Sequence, residues 1–309
     1  MSMTRSDILP ILPDCDLILP IFEARSHVER CLISLERHLP PQARLVLIDD
    51  ASQDPVLLER LGAEVARRPG TILLRNPKNT GFVGSANRGL GLALESRRDA
   101  CLLNSDTEVS AGFLERLAAC AHAGRESGIA SPFSNNGTIL SVPVWLRENA
   151  IPEPFDVDAF AEIVRRASRR VWPEIPTAVG FCMYIRADVL RTIDLFDQEN
   201  FGRGYGEEND FCARARLAGY RSRLADDVFV AHVGRASFGA EGDAREDANN
   251  SVMARLHPDY HDLIRTFIQL DPLRGLRSRI ARETERTRRA AARGRRSRHK
   301  PATAAPVQD

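Results

Sequence analysis

The sequence predicts an α/β protein built around a doubly wound, mostly parallel sheet. Short, continuous apolar runs alternate with segments of helical periodicity through the first hundred residues. Such runs are typical of strands that helices cover on both faces, and strand–helix–strand repetition gives a parallel sheet. A chain of 309 residues is also long enough to bury the core that this architecture needs. In sheets of this kind, ligands bind at the carboxyl ends of the strands.

The strands and helices of the first half can be placed in order along the chain. Apolar runs predict strands at 16–21, 45–48, 71–74 and 100–103. Apolar residues at helical spacing predict helices at 26–38, 55–67 and 84–97. The start of the second helix is the best marked, because Asp54 is suited to cap it and Pro55 to occupy its first position.

The second half is less regular and ends in a helical extension. Residues 133–176 are rich in Pro and Asn and show no clear period. The patterns that follow predict strands at 179–185 and 228–233, helices at 186–193 and 207–218, and a helical region at 244–269 that Pro258 interrupts. From Leu273 onward the chain is rich in Arg.

The composition is that of a soluble globular protein with a basic tail. Hydrophobic residues make up 43% of the chain and charged residues 28%. Residues 271–309 contain twelve Lys or Arg and four Asp or Glu, so the net charge of +1 conceals a mildly acidic body. The six cysteines are scattered without a C-x-x-C pair, which is typical of buried cysteines in a reducing compartment. Residues 1–13 lack the apolar stretch of a signal peptide, and no window approaches the ~20 apolar residues of a membrane span. We therefore expect a cytoplasmic protein.

Two polar clusters follow predicted strands. Asp49-Asp50 comes directly after the second strand, and Asn104-Ser105-Asp106 comes after the fourth. Either cluster can be a turn or an N-cap. Acids at these positions can also contact a nucleobase or ribose, and a carboxylate can hold Mg²⁺ or Mn²⁺ against a diphosphate.

Two further clusters lie in the second half. Glu207 and Glu208 open a predicted helix, where acids favour the positive end of the helix dipole. Crowded carboxylates also raise one another's pKa, and one of them can act as a general base. His232 ends an apolar strand and can be either a structural residue or a metal ligand.

Taken together, these segments resemble the family 2 glycosyltransferases, which have the GT-A fold. The resemblance covers residues 14–240, and five motifs in the family's order carry it: 19–22 (LPIF), 46–54 (VLIDDASQD), 76–82 (NPKNTGF) with 86–89 (ANRG), 102–107 (LLNSDT), and 205–214 (YGEENDFCAR) with 217–220 (LAGY) and His232. The last motif is the most specific.

The resemblance implies a metal-dependent enzyme that moves a sugar from a nucleotide-diphosphate donor to an acceptor hydroxyl in glycan assembly, with inversion at the anomeric carbon. Glu208 would be the catalytic base beside Glu207, and Asp106 and His232 would hold Mn²⁺ or Mg²⁺. The residues expected to shape the nucleotide site are Pro20, Phe22, Asp49, Asp50, Asn79, Gly81, Asn87 and Ser105. Residues 133–176 would cover the acceptor side.

The chain departs from the family pattern at three positions. Asn104 replaces the first Asp of the D-x-D motif, Glu208 stands where Asp is usual, and Glu23 replaces a common Asn. None of the three removes an essential oxygen ligand or base. The Q-x-x-R-W signature of processive synthases is absent from the sequence, which favours transfer of one or a few sugars.

Two other functions stay open at this point. A nucleotidyltransferase that makes the sugar nucleotide would share the sheet and the metal, but the stretch 19–25 lacks the glycines of a phosphate-binding loop. A nucleic-acid-binding protein could use the Arg-rich tail, although no aromatic residues interleave with its arginines.

We expect four regions: an N-terminal segment at 1–13, a GT-A domain at 14–240, a helical extension at 241–272 and a basic tail at 273–309. The tail would begin as a helix and be disordered past Gly294. It can be a functionless, solvated extension, or it can hold the enzyme at the inner face of an anionic membrane. The patterns do not identify the sugar, the nucleoside or the acceptor.

Overall fold

The computed structural model describes residues 9–234 and 241–298, and its first half alternates strands and helices. The elements in chain order are β1 (Cys15–Ile21), α1 (Arg25–His38), β2 (Arg44–Asp49), α2 (Pro55–Arg67), β3 (Ile72–Arg75), α3 (Gly81–Ser96) and β4 (Asp99–Leu103). The predicted strands and helices of this half are confirmed to within three residues. The Asp54 carboxylate caps α2 by accepting hydrogen bonds from the amides of Val56 and Leu57.

The second half contains shorter elements and then three longer helices. They are β5 (Thr107–Glu108), α4 (Phe113–Ala121), β6 (Ser127–Phe133), a 3₁₀ turn (Thr138–Leu140), α5 (Val157–Ala167), β7 (Glu174–Ile175), β8 (Cys182–Ile185), α6 (Ala187–Ile193), α7 (Gln198–Phe201), α8 (Glu207–Leu217), β9 (Arg221–Phe229), β10 (Ala231–His232), α9 (Glu241–Leu256), α10 (Tyr260–Leu270) and α11 (Arg274–Arg298).

Eight strands form one mixed sheet in the order β3-β2-β1-β4-β8-β6-β9-β7. The first four strands are parallel, with Ile18 of β1 opposite Val46 of β2 and Leu102 of β4. β8 runs antiparallel between β4 and β6, and β9 returns parallel to β6. The result is an α/β fold with a mostly parallel sheet, as the sequence predicts.

Helices cover both faces of this sheet. One apolar core lies under α1, α2 and α4, and the other lies under α3, α6 and α8. The approach of α3 is close, because a Cβ at Gly89 would lie 2.3 Å from Cγ2 of Ile18 in β1. All six cysteines are buried and free, in agreement with the prediction from their spacing. Within the described ranges, no helix is both long and apolar enough to cross a bilayer.

Three predicted elements differ in the structure. The strand predicted at 228–233 begins at Arg221, and its last residues separate into β10, which pairs with β5 instead of the large sheet. The stretch predicted as irregular contains α5, whose Asp156 caps it by accepting from the amide of Ala159. The basic tail is a helix that continues past Gly294 to Arg298, and residues 299–309 lie outside the described residues.

The tail helix is also part of a core. Leu273, directly before α11, and Ile280 of α11 are 0% and 2% exposed, and they pack in an apolar cluster with Phe160 of α5. The boundary predicted between 272 and 273 therefore falls inside a packed unit. The sequence pattern predicted neither the full length of this helix nor its packing, because its arginines outnumber its apolar residues.

Candidate active site

A cleft of about 1580 Å³ opens at the carboxyl ends of β1 and β4. The start of α3, the start of α8, the β10 segment and one side of α10 complete its walls. Most of the predicted site residues line it: Pro20, Phe22, Asp50, Asn79, Gly81, Ser105, Asp106, Glu207, Glu208 and His232. Asp49 and Asn87 do not.

Asp50 organises the loop between β3 and α3. It is 3% exposed, and its Oδ1 accepts hydrogen bonds from Nδ2 of Asn76 at 2.7 Å and from the amide and hydroxyl of Thr80 at 2.8 Å each. Its Oδ2 accepts from the amide of Gly81 at 2.8 Å. The carboxylate therefore fixes the shape of this wall of the cleft, because a charged acceptor binds amide donors strongly.

Asp49 and Asn87 act behind the wall. Asp49 is 1% exposed, accepts from the amide of Ser52 at 3.1 Å and lies 3.1 Å from Nε of Arg75. Asn87 forms two hydrogen bonds with the backbone of Phe196, donating to its oxygen at 2.8 Å and accepting from its amide at 2.9 Å. Neither side chain reaches the cleft, in contrast to the nucleotide contacts that the resemblance implied.

Gly81 joins this wall to the segment before α8. Its φ of +78° is unfavourable for other residues, and a Cβ there would lie 2.8 Å from Cβ of Arg203. Asn79 Oδ1 accepts from the amide of Gly81 at 3.1 Å and from the guanidinium of Arg203. The loop after β3 thus contacts the loop that leads to the acidic pair.

Asp106 and His232 face each other across the short β5–β10 ribbon. Oδ1 of Asp106 lies 3.5 Å from Nε2 of His232, and its Oδ2 accepts from the amide of Gly234 at 2.9 Å. Burial raises the pKa of Asp106, but the bond with His232, its charge and the Gly234 amide outweigh burial and hold this pKa below its ordinary value. Asp106 is therefore ionised at neutral pH.

The environment of His232 determines which ring nitrogen carries a proton. Nδ1 lies 2.8 Å from the backbone oxygen of Asn136, and a carbonyl oxygen can only accept, so Nδ1 donates. In the neutral ring, the lone pair of Nε2 then faces the carboxylate of Asp106, and only the protonated ring donates the hydrogen bond that lowers the pKa of Asp106. Phe181 stacks on the ring with centroids 5.0 Å apart and fixes its plane.

This arrangement fits a divalent cation. Either the proton of the imidazolium form or a bound cation can lie between these two acceptors, and a histidine whose second nitrogen donates to a carbonyl is the usual form of a metal ligand. Among the described residues, no group of three or more His, Cys, Asp or Glu is arranged to hold a metal. A cation between Asp106 and His232 would therefore complete its shell with ligand oxygens and water, as Mg²⁺ often does with phosphates.

The acidic pair opens α8, directly after Gly206 with its φ of +98°. Glu207 is 4% exposed, and its Oε2 has no hydrogen-bond partner among the described residues. Burial, and then the neighbouring charge of Glu208, raise the pKa of Glu207 well above its ordinary value. Glu208 is more exposed, accepts from the amide of Gly206 at 3.3 Å and lies against Gly180.

Asn104, like Glu207, has a buried side-chain oxygen without a hydrogen-bond partner among the described residues. It follows β4, and its backbone amide donates to the oxygen of Phe181 at 2.8 Å. Its side-chain Oδ1 is buried and has no hydrogen-bond partner in the described part of the chain. A buried polar atom without a partner is uncommon, and in a cleft it indicates a place for a ligand donor.

The sequence patterns missed one wall of the cleft. Residues of α9 and α10 line it, among them Asn249, Tyr260 and Ile264. The apolar period of α10 was visible in the sequence, but periodicity alone does not show which surface a helix covers. Parts of the irregular stretch, at 136–139, 146 and 148, also line the cleft.

Comparisons with known proteins identify relatives in sequence and in fold. The sequence model of glycosyl transferase family 2 matches residues 16–194, more than half of the chain. An uncharacterized protein of Mycobacterium tuberculosis is 27% identical over 221 residues, which cover 71% of this chain and 74% of that protein.

Solved structures share the fold at low sequence identity. The crystal structure of GalNAc-T7 with UDP, GalNAc and Mn²⁺ has a TM-score of 0.55 and 17% identity, and the match covers 72% of this chain and 43% of that chain. The mannosyltransferase PcManGT from Pyrobaculum calidifontis, in complex with GDP-Man and Mn²⁺, has a TM-score of 0.51 and 15% identity, over 90% of this chain and 87% of that chain. This chain thus spans less than half the length of the first of these structures.

Proposed function

The chain belongs to glycosyltransferase family 2 and has the GT-A fold, and from this premise we propose that it transfers a sugar from a nucleoside-diphosphate donor to an acceptor hydroxyl. One observation carries the proposal. Oδ1 of Asp106 and Nε2 of His232 face each other 3.5 Å apart in the same cleft as the Glu207-Glu208 pair. A site for a cation and a site for proton transfer are the two functions that this reaction needs.

In this proposal the donor nucleotide lies between β1, the start of α3 and the end of β4. Pro20, Phe22 and Ser105 line this part of the cleft directly, together with Asn79 and Gly81. Asp50 contributes mainly by holding the 76–81 loop, since three hydrogen bonds reach one of its oxygens and one reaches the other. Asp49 and Asn87 support the wall from behind.

Asp106 and His232 are the residues that would hold Mn²⁺ or Mg²⁺ with the donor's phosphates. When bound, such a cation supplies positive charge that stabilises the departing diphosphate. Asp106 is suited to this role because its pKa is held below the ordinary value. The hydrogen bond from Nδ1 of His232 to Asn136 keeps Nε2 available.

Glu208 is the proposed base. It takes the proton of the acceptor hydroxyl while that oxygen forms a bond to the anomeric carbon from the face opposite the diphosphate. The bond between this carbon and the diphosphate breaks in the same step, so the configuration inverts. Glu207 is less suited to the role, because it is 4% exposed, and burial beside Glu208 raises its pKa and disfavours its charged form.

A donor screen followed by a turnover assay tests the proposal. Calorimetry with UDP-, GDP- and dTDP-sugars in the presence of Mn²⁺ should identify one nucleoside that binds tightly. The matching sugar nucleotide should then release nucleoside diphosphate, and EDTA should stop the release until Mn²⁺ or Mg²⁺ is added back. Full turnover in a metal-stripped sample would contradict the metal site.

The same assay distinguishes the rival functions. A nucleotidyltransferase would release pyrophosphate from a nucleoside triphosphate and a sugar phosphate. A protein that only binds nucleic acid would consume neither substrate and would bind polynucleotide with a steep salt dependence. Release of a nucleoside diphosphate is expected from a glycosyltransferase alone among the three.

We also propose that α11 holds the enzyme against an anionic membrane surface. Its buried face contains Leu276, Ile280 and Thr284. On the opposite face, exposed arginines follow one another at helical spacing: Arg274, Arg282, Arg286, Arg289 and Arg293. Arg286 and Arg289 form ion pairs with Glu283 and Glu285 of the same helix, so the proposal depends mainly on Arg274, Arg282 and Arg293. Each Arg near an anionic membrane contributes about 1 kcal/mol, and several together support reversible binding.

Vesicle binding tests this second proposal. The triple variant Arg274→Gln, Arg282→Gln, Arg293→Gln should lose cosedimentation with phosphatidylserine vesicles at low salt. A control with three exposed arginines elsewhere, Arg97→Gln, Arg125→Gln and Arg191→Gln, should keep it. Equal binding by the two variants would show that the arginine face of α11 has no such role.

A further inference from the structure

The segment 201–206, which leads into the acidic pair, contains four residues with positive φ, and one of them is not a glycine. Gly202, Gly204 and Gly206 have φ values of +58°, +140° and +98°, and Tyr205 has a φ of +74°. A positive φ is unfavourable for a tyrosine, so this conformation persists only where the surroundings hold it. The orientation of Glu207 and Glu208 depends on this segment, because both follow it directly.

Asn249 of α9 holds this segment. Its Nδ2 lies 2.7 Å from the backbone oxygen of Tyr205, 2.8 Å from that of Gly204 and 3.4 Å from that of Phe201. A side-chain amide has two N–H donors, and here both point into one turn of backbone oxygens. These oxygens belong to the residues immediately before the acidic pair.

Two more side chains follow Asn249 at four-residue intervals, and they contact residues before and after the acidic pair. Met253 is 1% exposed and packs with Phe201. His257, directly after α9, lies with Nε2 2.8 Å from Oδ1 of Asp210, in the first turn of α8. Positions 249, 253 and 257 share one face at helical spacing. This face therefore contacts the chain before the acidic pair and after it.

We propose that Asn249 is a positioning residue for the carboxylate pair and that α9 fixes the start of α8 through the three contacts. The inference rests on the proposed function and deepens it, because it assigns to the C-terminal extension a part in the reaction. Asn249 lies outside residues 16–194, which the family model matches. The side chain touches neither carboxylate, and it acts through the backbone of 201–206.

The expected effect is on the rate constant of the chemical step. A misplacement of about 1 Å in a catalytic group can cost ~10²-fold in rate. Asn249→Ala should therefore lower kcat by roughly 10- to 100-fold, with the KM for the donor sugar nucleotide unchanged, because the nucleotide contacts lie on the other side of the cleft. A general loss of structure would change both constants and the thermal midpoint together.

Two measurements on the full chain test the proposal. Hydrogen exchange followed by mass spectrometry reports on the amides of 201–210, and steady-state kinetics report kcat and KM. Arg255→Ala is the matched control, because Arg255 lies on the same helix and donates one hydrogen bond, at 3.2 Å, to Asn200 in α7. Exchange in 201–210 should rise in Asn249→Ala and stay at the wild-type level in Arg255→Ala.

Each outcome decides the inference. Unchanged exchange in Asn249→Ala would overturn the contact's role in holding the segment, and faster exchange with unchanged kcat would overturn its role in catalysis. A wild-type protein without transfer activity would contradict the proposed function. The hydrogen-exchange measurement would still test whether Asn249 holds the segment 201–206. If Asn249→Ala does not fold, Asn249→Gln keeps the donors on a longer side chain and takes its place in both measurements.

Discussion

The two acidic sides of the cleft differ in what their oxygens contact. On the β2 side, the Asp50 carboxylate accepts four hydrogen bonds from the protein. Asp49 accepts from the amide of Ser52 and forms an ion pair with Arg75, although its Oδ2 has no hydrogen-bond partner among the described residues. On the β4 and α8 side, Oδ1 of Asn104 and Oε2 of Glu207 are buried without a hydrogen-bond partner among the described residues.

This difference distinguishes acids that hold the walls of the cleft from acids that are available to a ligand or to catalysis. Folded proteins satisfy nearly all buried polar atoms, so satisfied carboxylates near a cleft shape its walls. Oxygens left without partners, and acceptors that face each other, are positions where a ligand completes the bonding. The comparison predicts that substitutions on the β2 side change stability, whereas those at Asp106 and Glu208 change activity. Glu207 is the exception on its side, because its buried carboxyl group is expected to affect stability.

The largest effect is expected at Asp106. Asp106→Asn removes the charge that faces His232 but keeps an oxygen that can accept from the Gly234 amide. Several kcal/mol of metal-assisted stabilisation would be lost, which corresponds to a fall in kcat of roughly 10³-fold or more. Steady-state kinetics and a thermal melt on the same sample measure the two effects. A large drop in the melting temperature with little loss of kcat would show that Asp106 is a structural residue, contrary to the comparison.

Asp50→Asn should show the opposite pattern. The substitution removes the charge and turns an amide group toward donors at Asn76, Thr80 and Gly81. Charge-assisted hydrogen bonds contribute about 1.5–3 kcal/mol each, so we expect a loss of about 3 kcal/mol in the free energy of unfolding. Urea denaturation measures the loss, and Asp14→Asn, at an exposed carboxylate, is the control that should change it by less than about 0.5 kcal/mol.

Asn87→Ala should have a smaller effect of the same kind. The variant leaves the backbone amide and oxygen of Phe196 without their partner, at a cost of about 2 kcal/mol. The KM for the donor should stay within about twofold of the wild-type value, because Asn87 does not line the cleft. A large rise in KM without loss of stability would show that Asn87 contacts the nucleotide, as the resemblance implied.

The smallest effect is a dependence of stability on pH at Glu207. Its raised pKa means that the folded protein binds this proton more tightly than the unfolded chain does. The contribution to stability is full below the ordinary Glu value of about 4.3, and it falls as the pH rises above that value. Glu207→Gln resembles the neutral carboxyl and does not titrate.

The variant should therefore gain stability over the wild type as the pH rises from about 4.3 to 8. Each unit by which the folded pKa is raised corresponds to about 1.4 kcal/mol at pH values above it. Thermal melts at several pH values measure the gain. A difference that stays constant across this range would show that the pKa of Glu207 is ordinary.

The sequence predicted the parallel half of the fold because its signals are local. Four short apolar runs and the Asp54-Pro55 start placed β1 to β4 and α2 correctly. The second half depends on long-range contacts that no local pattern shows. β6 contains Ser, Gly and Pro and is a strand because β8 and β9 pair with it.

Site residues were predicted by type and position, but their partners were not. The patterns brought Asp106, His232 and Glu208 into one cleft, where the structure has them. The resemblance gave Asp49 and Asn87 the same nucleotide role, because a sequence does not show that Asp49 is paired with Arg75 or that Asn87 bonds to the backbone of Phe196. Asn249 was missed because its partners, the oxygens of 201–206, are backbone atoms that any sequence would supply.

The assignment within the acidic pair tests the account most directly. Glu208→Gln keeps the shape of the side chain and removes the proton acceptor, so kcat should fall by ~10²–10⁴ with donor affinity little changed. Glu207→Gln, measured beside it, should keep most of the activity, because Glu207 is not the base in this proposal and Gln keeps the shape of its buried side chain. An inactive Glu207→Gln together with an active Glu208→Gln would contradict the account and exchange the roles of the two carboxyl groups.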